Sequence, residues 1–276
     1  MSVSKMFFEE HCQMVYRIDR DDMSSEVGLA GALDDLETAL ESLSTDFTEK
    51  QDDIYFFGFT FFDQGHPFGG EPDGTEDEIF TPWNEASKNF WQAVVQQPTL
   101  RPRITAIVDR VVAILVSAGE YQSVWEDDET QLGEPMVSLL ALMDREFIPA
   151  YTKLLAVWDM DHEVEQLEAI EAIFDAHGVC EETEALLFCR VVTNPGQHSG
   201  DQLNDLFPKL QAHYGNFGKS ALFRKIVTQL HALDAKYRAD MAERGRAPAD
   251  REFIYTNHAE LKEATDALVA ELNASA

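Results

Sequence analysis

The histidines and acidic residues of this chain are the side chains that could carry metal chemistry, and their spacing decides whether they do. His162-Glu163 begins like the helix of a zinc protease, but that helix needs a second histidine four positions on, where Gln166 stands. A di-iron bundle needs Glu-x-x-His on two helices. Two stretches come near with Asp in place of Glu, Asp63-x-x-His66 and Asp159-x-x-His162. The spacing therefore predicts no metal centre and no cofactor.

Two further stretches resemble ligand-binding loops. The acidic run 71–78 would fit a calcium loop around Gly74 only if acids stood at both ends, and those positions hold Gly69 and Phe80. We therefore expect a solvated acidic loop. The stretch 215–220, Gly-Asn-Phe-Gly-Lys-Ser, ends like a phosphate loop but lacks its glycine spacing and follows a helix. It is predicted to be a turn between two helices.

The cysteines and serines offer no nucleophile. Cys12, Cys180 and Cys189 lack the spacing of a metal site, and an odd count without an export signal favours the reducing cytosol. Cys189 stands among apolar residues, so we expect a small buried side chain there. No serine lies in a nucleophile elbow. The chain is therefore not expected to be an enzyme.

The strongest structural pattern runs from Leu139 to Gly178 and predicts two helices around an acidic corner, Asp159-Met160-Asp161. Pro149 lies inside the first helix and predicts a kink or a break. Asp161 is the expected N-cap of the second helix, and Gly178 its C-terminal glycine. The apolar face of the first helix comprises Leu139, Leu142, Met143, Phe147, Tyr151, Leu154, Leu155 and Trp158.

The second helix has two contrasting faces. Its apolar stripe consists of Val164, Leu167, Ile170, Ile173 and Phe174. The opposite face is acidic and is expected to stay in contact with water. It carries Glu165, Glu168, Glu171 and Asp175.

Apolar periodicity predicts helices over most of the remaining chain. The predicted helices are 5–18, 27–43, 83–97, 103–118, 181–192, 201–213, 219–244 and 250–273. The aromatic run 54–62 is predicted to be a buried strand, with 79–81 as its candidate partner. The fold class is therefore mainly α, a multi-helix bundle or stacked helical hairpins, with room for a small β-hairpin near 54–82. We expect one domain over 1–276, with a candidate sub-boundary near 64–102.

Charge is the dominant feature of the composition. The chain has 51 acidic and 21 basic residues among 276, a formal net charge of -30. Such a field repels nucleic acid and attracts a basic protein partner. A saline habitat or simple solubility would also account for an acidic surface. No apolar run is long enough for a membrane span.

In general character the chain resembles bacterial toxin-immunity proteins, which are acidic, helical and without catalytic motifs. The aromatic strand with its polar turn at 53–63 and the Leu139–Gly178 helix pair fit the same resemblance. The resemblance implies tight binding to one cognate toxin or effector in the cytoplasm. Trp158 is a candidate aromatic anchor, although a core position is the more common role of a tryptophan at a helix end. The expected partner-binding residues are Trp158, Asp159, Asp161, Glu165, Glu168 and Glu171.

Two other classes of protein stay open at this point. The first is a helical-repeat scaffold or adaptor with several partners. The second is a helical enzyme whose site is assembled from residues scattered along the chain. The sequence leaves the partner and the oligomeric state open.

Overall fold

The computed structural model of the protein describes residues 3–8, 13–18, 25–42, 91–118, 140–157, 163–193, 195–249 and 256–275. These residues are mainly helical, which confirms the predicted fold class. Contacts divide the chain into two compact units, Met1–His162 and Glu163–Ala276, and the division falls beside the acidic corner. The single domain over 1–276 stays a prediction, and most of its candidate sub-boundary lies outside the described residues.

The first unit contains a hairpin and a group of helices. Its two strands are β1 (Val3–Phe8) and β2 (Gln13–Ile18). Its helices are α1 (Glu26–Ser42), α2 (Arg101–Ala118) and α3 (Ile148–Val157), with short helical segments at 91–95 and 140–143 and a 3-10 turn at Arg145–Phe147. The predicted helices 27–43 and 103–118 are confirmed within a few residues.

The helix predicted for 5–18 is wrong, because this stretch contributes to an antiparallel hairpin. Val3 pairs with Ile18, and Phe8 pairs with Gln13. Both strands are rich in aromatic and β-branched residues, which favour extended backbone. Pairing of the two strands satisfies backbone groups that neither strand could satisfy alone. The predicted strand 54–62 and its candidate partner 79–81 lie outside the described residues.

The first unit packs around one side of α2. Ile104, Ile107 and Val108 are buried there, as are Leu29 and Leu33 of α1. The periodicity of both helices predicted these faces. On the other side of α2, the residues at 105, 106, 109 and 110 are exposed. In this part, α2 is therefore an amphipathic helix, with one side buried and the other exposed.

Two arginines in the first turn of α2 tie it to other elements. Arg103 reaches α1, where its Nε lies 3.0 Å from Glu37 Oε1 and its Nη2 lies 2.6 Å from Asp34 Oδ1. Arg101 reaches the segment before α3, where its Nη2 lies 2.5 Å from Asp144 Oδ2 and its Nε lies 2.7 Å from Glu146 Oε1. These carboxylates raise the pKa of both guanidinium groups.

The helix predicted from Leu139 to Trp158 breaks into two pieces, and the break comes before Pro149. The chain leaves the helix at Asp144, whose side chain caps the 3-10 turn by accepting from the N–H of Glu146. Pro149 then lies in the first turn of α3, where its missing N–H costs no helical hydrogen bond. Leu142, predicted on the apolar face, is 37% exposed.

The second unit contains five helices. They are α4 (Glu163–His177), α5 (Glu181–Thr193), α6 (Gln197–Tyr214), α7 (Ala221–Glu243) and α8 (Ala259–Ser275), with a 3-10 turn at Phe217–Lys219 before α7. The helix α4 contacts both α5 and α6, α5 contacts α6 and α7, and α7 contacts α8. Contacts of each helix with its next one or two neighbours are typical of stacked helical hairpins.

Turns in the second unit follow the local signals of the sequence. Gly178 and Gly215 have φ angles of 68° and 71°, which only glycine adopts cheaply, and they end α4 and α6. Ser220 caps α7 by accepting from the N–H of Phe223. The stretch 215–220 is therefore a turn between two helices, as predicted. Cys189, predicted to be buried, is half-buried, and this burial raises the pKa of its thiol.

A proline inside α6 provides the attachment point for the chain that enters α8. Pro208 has no N–H, so the carbonyl of Asn204 loses its helical donor. His258 Nε2 lies 3.2 Å from this oxygen and takes the place of that donor. The Asn204 side-chain oxygen accepts from the hydroxyl of Thr256 and from the N–H of Asn257. The proline thereby frees a carbonyl for a contact between α6 and the residue that precedes α8.

We predict that Arg103→Met destabilises the first unit by about 1 kcal/mol, because it removes the ion pairs of Arg103 with Asp34 and Glu37 of α1. The measurement is urea unfolding followed by circular dichroism. Arg110→Met, at an exposed position of the same helix, is the control and should change stability little. Equal losses from the two variants would show that net charge matters here and the contacts do not.

We also predict that Ile107→Asp unfolds or aggregates the protein. Ile107 is 1% exposed, and an unpaired buried carboxylate costs several kcal/mol out of a total stability of roughly 5–15 kcal/mol. Ala106→Asp, at an exposed neighbour, should leave the protein folded. A soluble Ile107→Asp variant with an unchanged melting temperature would contradict the central position of α2.

Candidate protein-binding surface

The structure describes some of the predicted partner-binding residues and not others. Trp158, Asp159 and Asp161, together with the N-cap role of Asp161, lie outside the described residues. Glu165 lies in the first turns of α4, and the structure does not describe its side chain. Glu168 is exposed on α4, as expected.

Glu171 is not fully exposed to solvent, contrary to the prediction. It is half-buried and lies near the carboxylate of Asp205 of α6. Burial raises the pKa of the Glu171 carboxyl, and the charge of Asp205 raises it further, while Lys209 acts in the opposite direction. The two like charges repel each other, so this contact costs free energy when Glu171 is ionised.

Asp175, one turn further along α4, also faces α6. Its Oδ1 lies 2.7 Å from the Nζ of Lys209, in an ion pair that is still largely in water. The apolar stripe of α4 is buried at Ile170, Ile173 and Phe174. Since α4 contacts two helices, α5 and α6, less of its surface stays free than a single apolar stripe suggests.

The spacing of Asp205 and Lys209 in the sequence is a signal for this arrangement. Asp205 and Lys209 are four residues apart, so they lie on the same face of α6. An acid and a base at this spacing usually pair with each other on an exposed surface. Here both meet α4 instead, and only the packing of the two helices shows it.

One acid in the first turn of α5, Glu184, forms a hydrogen bond within the fold. The hydroxyl of Tyr214, near the end of α6, donates to Glu184 Oε1. Burial raises the pKa of Tyr214, and the Glu184 contact adds to this shift, so the phenol stays protonated as the donor. Glu181 is exposed, whereas Glu182 and Glu184 are half-buried.

The candidate surface is therefore smaller than predicted. Among the predicted residues whose side chains are described, Glu168 is the exposed one, and Glu171 belongs to the contact with α6. The negative charge is unevenly distributed along the chain. Residues 1–162 hold 32 acids and 10 bases, and residues 163–276 hold 19 acids and 11 bases.

Within the described ranges, no group of three or more His, Cys, Asp or Glu residues is arranged to hold a metal ion. Among the described helices, none combines the length and the apolar character needed to cross a membrane. Comparison of the chain with protein-family models, curated proteins and solved structures finds no match.

We predict that Glu171→Gln stabilises the protein at neutral pH by up to about 1 kcal/mol, because it removes the repulsion between Glu171 and Asp205. The folded-state pKa of Glu171 is raised, so the parent regains this stability as the pH falls through that pKa. The gain should therefore shrink towards acidic pH. Urea unfolding between pH 4 and pH 7 is the measurement.

The control for this pH series is Glu168→Gln, which makes the same chemical change at an exposed position of the same helix. It should show a smaller effect with little dependence on pH. A Glu171→Gln variant that is less stable than the parent at neutral pH would contradict the proposed repulsion.

Proposed function

We propose that the protein binds a basic protein partner through acidic residues at the start of α4, Glu165 and Glu168. The partner we propose is a cognate bacterial toxin or effector, which this protein neutralises in the cytoplasm as an immunity protein. The supporting observation is charge. The 51 acids outnumber the 21 bases. Several bases in the described part of the chain also form ion pairs within the fold.

Ion pairs within the fold engage some of the few bases and leave the net excess of carboxylates unchanged. Six described bases each contact a carboxylate of the same chain: Arg101, Arg103, Lys153, Lys209, Arg224 and Arg238. A base that is paired internally contributes little to the binding of an acidic partner. The excess of carboxylates at the surface therefore favours a partner of opposite charge, whose approach the protein field accelerates.

The fold is suited to binding a folded partner. Stacked helical hairpins present neighbouring helices side by side, so that residues from several helices can contact one surface. Inhibition then requires only that the bound protein cover the active site of the toxin. This mode of action needs neither a cofactor nor a catalytic residue in the inhibitor.

A helical scaffold or adaptor is the second candidate, and the stacked-hairpin contacts of the second unit favour it specifically. A scaffold would bind several partners without blocking an activity. Protection against one toxin distinguishes the two functions, because an adaptor has no reason to protect.

We predict that Glu165→Gln/Glu168→Gln slows association with the toxin and flattens its dependence on salt. The change removes two charges with little effect on helix propensity. Glu171 is left unchanged because it lies in the contact with α6, where a change of charge would also alter stability. The measurement is the association rate with a candidate toxin encoded by a neighbouring gene, at low and high salt.

The matched control is Asp240→Asn/Glu243→Gln, which removes the same two charges from exposed positions of α7. The control should bind nearly as fast as the parent. Equal slowing by both variants would assign the effect to net charge. Equal binding and protection by the α4 variant and the parent at every salt concentration would rule out this surface as the interface.

A further inference from the structure

A cavity of about 320 Å³ lies in the second unit, where three elements meet. The end of α6, the turn 215–220 and the first turns of α8 form its walls. Its apolar part consists of Phe207, Leu261 and Ala264. Three charged residues also line it: Lys219, Glu260 and Glu263.

The turn that forms one wall is held firmly to α6. The side-chain oxygen of Gln211 accepts from the N–H of Phe217 at 2.9 Å, and its amide nitrogen donates to the carbonyl of Gly215 at 3.1 Å. Phe217 is fully buried and anchors the turn in the core. Both polar atoms of the Gln211 side chain are therefore occupied in shaping the cavity.

The turn also approaches α8 closely. A Cβ atom added at Gly218 would lie 2.9 Å from the Cβ of Ala264, which is closer than real Cβ atoms come. On the other side, the ring of Phe207 packs against the ring of His258, with centroids 4.2 Å apart. The bonds from Asn204 to Thr256 and Asn257 hold this end of α8 against α6. The cavity is therefore largely formed before any ligand arrives.

We infer that this cavity receives an arginine side chain of the basic partner. The methylene groups of arginine would pack on Phe207, Leu261 and Ala264, as long basic side chains do on apolar surfaces. Its guanidinium group would then reach the carboxylates of Glu260 and Glu263, which are exposed. The planar fork of five donors suits paired carboxylates better than the compact ammonium of lysine.

Lys219 is the one base that lines the cavity. Its charge and the charges of the two glutamates have opposite effects on a charged ligand, so variants of these residues distinguish a cationic ligand from an anionic one. It is exposed and would repel an arginine, while the two glutamates attract it. An anionic ligand would experience the opposite forces. Two carboxylates outweigh one ammonium here, within a chain of net charge -30, so a cation is favoured.

This inference rests on the proposed function, since it assigns a place to one side chain of the basic partner. It can be tested without that partner. The probe is N-acetyl-arginine methylamide, titrated into isotope-labelled protein of full length and followed by NMR. N-acetyl-norleucine methylamide has a similar stem without the charge, and N-acetyl-glutamate has the opposite charge.

The arginine probe should shift the amide signals of Gly218, Lys219 and Ala264, and the norleucine and glutamate probes should shift them less. Glu260→Gln and Glu263→Gln should each weaken binding of the arginine probe, roughly two- to fivefold, and Lys219→Gln should strengthen it by a similar factor. Glu243→Gln, at an exposed position of α7, is the control and should have little effect.

Two results would overturn the inference. One is the absence of shifts around the cavity, and the other is the reverse order of effects, with Lys219→Gln weakening binding. If the toxin does not bind, the proposed function is refuted. The titration with the arginine probe would still show whether the cavity binds arginine. A toxin whose binding is unchanged by Glu263→Gln and Lys219→Gln would refute the cavity as its contact and leave the function standing.

Discussion

The shortage of positive charge is the constraint on which much of the described structure depends. With 51 acids and 21 bases, each base that lies near several carboxylates becomes a tie between elements. Arg103 joins α2 to α1, and Arg101 joins α2 to the segment before α3. Arginine suits this role because one guanidinium can bind two carboxylates at once. The first unit, with 32 acids and 10 bases, depends on these ties most.

Where bases are missing, apolar packing holds acids together in spite of their repulsion. Glu171 and Asp205 meet between α4 and α6, where burial and the charge of Asp205 raise the pKa of Glu171. Burial of one Ile or Phe side chain stabilises a fold by roughly 1.5–3 kcal/mol. A partly exposed pair of like charges costs roughly 0.2–1 kcal/mol. Ile170, Ile173 and Phe174 of α4 therefore outweigh the repulsion, and the helices pack where their apolar faces direct them.

Both candidate contacts with a partner rely on electrostatic attraction, one at long range and the other at contact distance. In the proposed function, Glu165 and Glu168 on α4 would act at a distance, through a field that guides a basic protein towards the surface. The cavity beside α8 would act at contact, because Glu260 and Glu263 stand next to an apolar wall. Its shape depends on Pro208 and Gln211, residues that carry no charge. Pro208 frees the carbonyl that holds the chain before α8, and Gln211 holds the turn opposite it.

Local features of this protein were determined by the sequence alone. Three-and-four periodicity predicted the helices α1, α2, α4, α5 and α7, and Gly178 and Gly215 marked helix ends, since both signals act within a few residues. The tertiary structure decided which helix faces stay exposed to solvent, because exposure depends on contacts with residues distant in the chain. Glu171 meets Asp205, Leu142 is exposed, and residues 3–8 pair with 13–18 in a hairpin. The cavity likewise exists only because α6, the turn 215–220 and α8 meet.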